Sequence, residues 1–352
     1  MATLTSKTAR TISLCATLTA LALTSACGSS STTSETSSSS SSSAAASASS
    51  TTEAASAPTA LPDGMGASEA DGVFPRTVTH FGGQTTIETQ PQKVVVLSTG
   101  QLDDVLTLGV APIASTTATD AELVPSYLSE EYGDDFSSLN DLQTVGTRKA
   151  PDTEAIANLA PDLILINSTN KDEALMESLQ AIAPVVVTEG TGVNWKQDYL
   201  LIAAALGKTE QAQADLDEYT ARAAALGEKV DDSTTFSFLR YTSDRTRIWG
   251  VSSFVGSIAA DAGLARPESQ TFADTSQDIS AEQLDLADGD YLFYGAQGGD
   301  GAGLTDAALW SSLGAVAAGK AYQVDDEMFF LNAGMTAANE VLDTLEETVS
   351  SN

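Results

Sequence analysis

The sequence predicts an α/β protein of two lobes joined by one long helix, and three observations carry that reading. Apolar strand patterns alternate with helical ones on both sides of a central segment, the order expected of parallel, doubly wound sheets. Within that segment Ala212, Leu216, Tyr219, Ala223 and Leu226 fall at i, i+4, i+7, i+11 and i+14, on one face of a helix from Thr209 to Leu226. The flanks share a signature: Glu154 is followed eight residues later by Asp162-Leu163-Ile164, and Glu282 eight residues later by Asp290-Tyr291-Leu292. The helical periodicity alone also permits a crossover helix within one large sheet; the repeated signature favours two lobes.

Ahead of the lobes lies a segment that sets location. Lys7 and Arg10 precede a largely apolar stretch, Thr11 to Ala26, too short to span a bilayer comfortably, and residues 1–26 read as an export signal. It ends in Leu23-Thr24-Ser25-Ala26-Cys27-Gly28, which resembles the lipobox of bacterial lipoproteins, with Thr24 where an aliphatic residue is usual. Cys27 is then the lipid-bearing residue, which anchors the chain to the membrane; the alternative is a plain secretory signal and a free thiol. Cys15 lies in the discarded segment, so no intramolecular disulfide is expected. Residues 27–70 are dominated by Ser, Thr, Ala and Gly, with a serine run from Ser37 to Ser43, and read as a disordered tether. The chain holds 48 acidic and 16 basic residues, a net charge of −32, the wrong sign for nucleic acid.

The elements follow in order. In the first lobe, 71–206, Thr77 to His80 and Thr85 to Ile87 flank Gly82-Gly83 as a hairpin. Val94 to Leu97 is a continuous apolar run, as in a strand buried on both faces. A helix from Gln101 to Leu108 ends at Gly109, and Ala111 to Ala114 reads as a strand. Helix Thr153 to Leu159, strand Leu163 to Ile166, helix Glu173 to Ala181 and strand Val185 to Val187 complete the lobe. The interlobe helix occupies 207–230, with Thr209 expected as its cap, Glu210 suited to its positive end and Gly227 as its stop. The second lobe, 231–352, repeats the pattern: strand Thr235 to Leu239, helices Phe254 to Ala262 and Ala281 to Leu286, strand Tyr291 to Tyr294 and helix Ala337 to Val349. Thr153 and Ser280 stand as caps ahead of the two glutamates.

Several chemistries are excluded. His80 is the one histidine of the chain and lies near a hairpin, far from any Gly-x-Ser-x-Gly elbow, so a serine-histidine nucleophile is not supported. Zinc would want several His or Cys ligands. Gly207-Lys208-Thr209 is similar to the end of a phosphate-binding loop, but Ile202 stands where the first glycine is needed, and the glycine-rich stretch Gly295 to Gly303 lacks the following Lys-Ser/Thr. The positive signal is a cluster: Arg240, Tyr241, Arg245, Arg247 and Trp249 fall within ten residues on a strand-turn-strand segment. Such a segment suits an anionic, planar or aromatic ligand; the alternative is that the arginines pair with surface carboxylates.

Five stretches together carry a resemblance. They are Pro75-Arg76-Thr77-Val78-Thr79-His80; Leu106-Thr107-Leu108-Gly109-Val110-Ala111-Pro112; Glu154-Ala155-Ile156 to Pro161-Asp162-Leu163-Ile164; Ser253-Phe254-Val255-Gly256 with Asp261-Ala262-Gly263-Leu264; and Ala321-Tyr322-Gln323-Val324-Asp325-Asp326. In their order and spacing, from Phe74 onward, the chain resembles the iron-siderophore type of ABC-importer substrate-binding lipoproteins. That resemblance implies a class III architecture, two Rossmann-like lobes on a single long α-helix, with a ferric siderophore held in the cleft. It implies no catalysis and no cofactor, and as partners an ABC permease with its ATPase. The chain is expected to be a monomer on the extracytoplasmic face of the membrane. Ligand contacts are expected from Arg240, Arg247 and Trp249, with Tyr241 and Phe254 as neighbours, and from Thr99, Gln101 and Arg148 in the first lobe. Glu154 and Glu282 match the glutamates that dock each lobe onto the permease. Haem or cobalamin is the alternative ligand, His80 serving as an axial ligand only if it faces the cleft; a wall-linked adhesion module and a secreted enzyme are the competing classes.

Overall fold

The computed structural model describes residues 57–119, 121–299 and 301–351; the export signal, Cys27 and the tether up to residue 56 lie outside them. A hairpin of β1 (Arg76–His80) and β2 (Gly83–Ile87) precedes the first sheet. That sheet is built from β3 (Val94–Val96), α1 (Gln101–Thr107), β4 (Ala114–Thr117), α2 (Ser126–Tyr132), β5 (Gln143–Thr147), β6 (Ala150–Pro151), α3 (Thr153–Leu159), β7 (Leu163–Asn167), α4 (Glu173–Ile182) and β8 (Val185–Thr188). Its order is β6-β5-β4-β3-β7-β8, parallel except for β6. The chain then runs through α5 (Trp195–Leu206) and α6 (Thr209–Gly227). The second sheet follows: β9 (Phe236–Thr242), β10 (Arg245–Trp249), α7 (Phe254–Asp261), β11 (Ser276–Ile279), β12 (Tyr291–Ala296), α8 (Ala302–Thr305), α9 (Gly314–Ala317) and β13 (Ala321–Val324), closed by α10 (Met335–Ser350). Its order is β11-β10-β9-β12-β13, with β9, β12 and β13 parallel. Among the described residues no helix is long and apolar enough to cross a membrane.

The lobes are related in detail. The carboxylate of Asp162, just ahead of β7, accepts the Gln92 and Lys93 N–H groups at 2.8 and 2.9 Å, ahead of its parallel neighbour β3. Asp290, just ahead of β12, accepts the Thr235 N–H at 2.8 Å ahead of β9. The repeated signature therefore marks one local solution used twice: an aspartate ties the amino ends of two parallel strands, satisfying N–H groups that precede the ladder.

The predicted stripe of α6 is its buried face: Ala212, Leu216, Tyr219, Ala223 and Leu226 are all buried. Its start differs from expectation. Thr209 does not cap the helix; the carboxylate of Asp71 does, accepting Thr209 N–H, Thr209 Oγ1 and Glu210 N–H at 2.8 Å each. The helix ends at Gly227 as read, though without a left-handed turn there. A Cβ there would run into the Ala262 carbonyl, so the glycine permits close approach of α6 to the end of α7. Ahead of it, α5 is buried along its whole length. Its Lys196 reaches Asp261 of α7 at 2.6 Å, and Tyr219 of α6 donates to the same carboxylate at 2.9 Å. A buried lysine is tolerable only with such a partner.

Two further expectations are corrected. The strand read at Ala111 to Ala114 begins at Ala114, because pairing with β3 starts at Val95 and Ala114. Residues 57–70 are not tether: Ala57 is buried, Leu61 packs on the core, and Gly66 and Thr79 exchange two backbone hydrogen bonds at 2.8 and 2.9 Å.

A seam also binds α1 to α10. The carboxylate of Asp103 accepts the Thr336 and Ala337 N–H groups at 2.8 and 2.9 Å and the Tyr127 hydroxyl at 3.0 Å; Asp104 accepts Met335 N–H at 3.3 Å. These aspartates cap α10 from the other lobe. Gly100 and Gly334 sit where a Cβ would meet the opposite side of the seam.

Candidate ligand-binding site

In the first sheet β3 leads outward to β4 and β5, whereas β7 leads the other way to β8, so the loops leaving β3 and β7 part and open a crevice at their carboxyl ends. A pocket of about 300 Å³ lies there, lined by Ser98 and Thr99 after β3, Asn167 at the end of β7, Lys171 beyond it, and Arg148 and Lys149 from the β5–β6 turn. Arg148 is fixed: Nη1 donates to Thr99 Oγ1 at 3.1 Å and to the Leu331 carbonyl at 3.2 Å, and Nη2 to Asn332 Oδ1 at 2.8 Å. Each of these acceptors is neutral, and burial lowers the pKa of the guanidinium. Lys149 and Lys171 are exposed.

The second lobe has a matching pocket of about 400 Å³ at the carboxyl ends of β12 and β13. Gln297, Asp325, Asp326, Glu327 and Leu331 line it, and Glu122 of the first lobe forms the facing wall. Glu327 accepts the Glu122 N–H at 3.0 Å, and burial raises the pKa of its carboxyl. Leu331, whose carbonyl takes the Arg148 bond, belongs to this pocket, so the two pockets meet at that contact.

The arginine cluster sits on β9 and β10. Strand alternation and the pairing of Arg247 with Arg240 put Arg240, Arg247 and Trp249 on one face and Tyr241 on the other, where it packs on the satellite core and covers Gly303. Arg240 is held by Asp326 in a two-pronged ion pair at 2.7 Å for both contacts. Arg247 Nε reaches Asp278 at 3.1 Å, and Arg245 takes the same carboxylate at 2.8 Å. Burial lowers the Arg247 pKa, and Arg245 adds to the effect. The pairing of arginines with carboxylates, the alternative reading of the cluster, therefore holds for all three. Trp249 stacks on Phe330 at 5.3 Å, and its buried indole N–H has no hydrogen-bond partner among the described residues.

Of the first-lobe candidates, Thr99 and Arg148 share the pocket. Gln101 does not reach it: the side chain is buried, Oε1 accepts Leu97 and Ser98 N–H, and Nε2 donates to Thr188. It shapes the β3–α1 turn. Phe254 is likewise a core residue, edge-on to Trp195 at 5.7 Å. Glu154 and Glu282 are exposed in the first turns of α3 and of the short helix Ala281–Ala287. Asp152, rather than Thr153, caps α3, and Ser280 pairs with Gln283 in a capping box. His80 faces neither pocket. Its Nδ1 accepts Gly82 N–H at 3.0 Å, and Nε2 pairs with Thr85 Oγ1 at 2.9 Å. Lys149, Lys171 and the segment Glu327 to Asn332 are not singled out from sequence, and Asp325 and Asp326 enter only through the resemblance; Lys149 adjoins Arg148, and Lys171 follows the second strand of the same crevice, which is the available signal. Among the described residues no group of His, Cys, Asp or Glu is placed to hold a metal ion.

Known proteins share this design. A family model described as periplasmic binding protein matches residues 94–328. The probable siderophore-binding lipoprotein YfiY of Bacillus subtilis is 32% identical over 301 residues, covering 79% of this chain and 89% of that protein. The Fe(3+)-citrate-binding protein YfmC of Bacillus subtilis is 27% identical over 290 residues, covering 79% and 88%. Among solved structures, Staphylococcus aureus SirA complexed with staphyloferrin B superposes with a TM-score of 0.66 at 26% identity, over 78% of this chain and 98% of that one. With two α/β lobes joined through a long helix and this match across most of the folded part, the chain is a binding protein rather than an enzyme and belongs to the periplasmic binding protein family.

Proposed function

We propose that this chain captures a ferric siderophore in the crevice between its two sheets and delivers it to an ABC importer from the extracytoplasmic side of the membrane. The observation that carries the reading is the pair of pockets at the carboxyl ends of two related parallel sheets, meeting at the Arg148–Leu331 contact. Thr99 and Arg148 are the first-lobe contacts, and Arg240, Arg247, Trp249 and Phe330 form the second-lobe wall beside them. Iron is cargo, enclosed by its own chelator, so the protein needs no metal ligands and no cofactor. Cys27 carries the lipid anchor, and the chain acts as a monomer. Glu154 and Glu282, exposed on related helices of the two lobes, dock onto cationic residues of the permease.

The test is a tryptophan-fluorescence titration of the full-length chain in detergent against ferric siderophores, with an inner-filter control. Saturable quenching at submicromolar chelate is expected, and Trp249→Phe should remove most of it. The Glu154→Ala/Glu282→Ala pair should keep that affinity while cellular uptake of radioiron falls. Silence across all ferric chelates from a folded protein overturns the reading.

A further inference from the structure

We infer that the ferric chelate taken by this site is anionic on one side only and of the hydroxycarboxylate type, bearing citrate-like carboxylates, rather than a tris-catecholate or a neutral trihydroxamate. This rests on the siderophore reading above and narrows it.

Of the arginines that the sequence makes prominent, Arg240 is neutralised by Asp326, while Arg245 and Arg247 share the single carboxylate of Asp278 and keep one excess positive charge between them. The larger unpaired charge lies in the other lobe. Arg148 touches only neutral acceptors, Lys149 and Lys171 are exposed, and the lining of their pocket includes no carboxylate. On a chain of net charge −32, three cations around one pocket without a contacting acid are a local reversal of sign. The remaining lining is hydroxyl and amide, from Ser98, Thr99 and Asn167, with no aromatic ring. Such groups satisfy carboxylate and alkoxide oxygens and give a catechol ring no stacking partner on this side of the site; the aromatic pair Trp249 and Phe330 belongs to the other lobe.

The second pocket discriminates. Asp326 has its arginine and Glu327 feels the charge of Arg148, but Glu122 and Asp325 face the same space with no ion pair among the described residues. A tris-catecholate spreads negative charge over its whole surface and meets repulsion at that wall. A chelate whose carboxylates are gathered on one side meets the cations there and turns its neutral or aminated side to the acids. A neutral trihydroxamate gains nothing from the cations.

The experiment titrates the full-length chain in detergent with ferric staphyloferrin B, a citrate-based chelate that also carries an amine, ferric enterobactin and ferrioxamine, with iron-free staphyloferrin B as control. Wild type is compared with Lys149→Gln/Lys171→Gln, whose exposed positions leave the fold intact. Ferric staphyloferrin B is expected to bind at least about tenfold more tightly than either of the others, and the double variant to lose about tenfold for that chelate alone. Tighter binding of ferric enterobactin or ferrioxamine, or a double variant with unchanged affinity for ferric staphyloferrin B, overturns the inference and leaves siderophore binding standing. Failure of all three chelates to bind overturns both.

Discussion

His80 is buried in the β1–β2 hairpin, and lost solvation lowers its pKa to about 4. Asp198 of α5 is buried too, and there the same cost raises the carboxyl pKa to about 7, against the pull of the Glu189 and Gly190 N–H groups that it accepts at 2.8 Å. The consequences for stability have opposite signs. The neutral histidine contributes stability above its unfolded value of 6.5 that is lost as pH falls towards 4. The protonated aspartate contributes stability below 3.8 that is lost as pH rises through 7. Relative to wild type, His80→Gln should gain stability as pH falls from 6.5 to 4, and Asp198→Asn should lose it from 7 to 4. Thermal midpoints by circular dichroism across that window check this; variant curves parallel to wild type would show that neither group titrates there.

At the scale of the element, α6 shows what is legible from sequence and what is not. All five stripe residues are buried as read, because a helix's periodicity is local. Its cap is not local: Asp71 lies 138 positions before Thr209 and meets it only once the lobe has folded. Asp71→Ala should therefore cost about 1–2 kcal/mol in urea unfolding, and more than Thr209→Ala, the reverse of what a self-capping Thr209 requires. The arginine cluster repeats the lesson. Density along the chain located β9 and β10, whereas pairing of Arg240 with Asp326, 86 positions away, depends on strand order and register. Sequence cannot say that the amide oxygen of Gln101 accepts the Leu97 and Ser98 N–H groups, which holds its side chain in the β3–α1 turn and out of the pocket. Thr99 and Arg148, both expected from the resemblance, share one pocket at the carboxyl ends of the parallel strands.

For the whole molecule, the seam between α1 and α10 adds a second linkage to the α5–α6 connection. Rotation of the sheets would break the Asp103 bonds to Thr336 and Ala337 and expose two buried aspartates. Ligand saturation should therefore leave the radius of gyration in small-angle scattering unchanged within error; a clear compaction would contradict the seam's rigidity.

That seam also orders events in time. Asp103 and Ala337 are 234 positions apart, and every strand of both sheets is synthesised before α10. Contacts of such separation close late, after the sheets have formed. Until α10 arrives, the buried aspartates of α1 lack the helix N-terminus that they serve. A chain leaving the ribosome residue by residue thus cannot lock its two halves across this seam until nearly all of its folded part has been made.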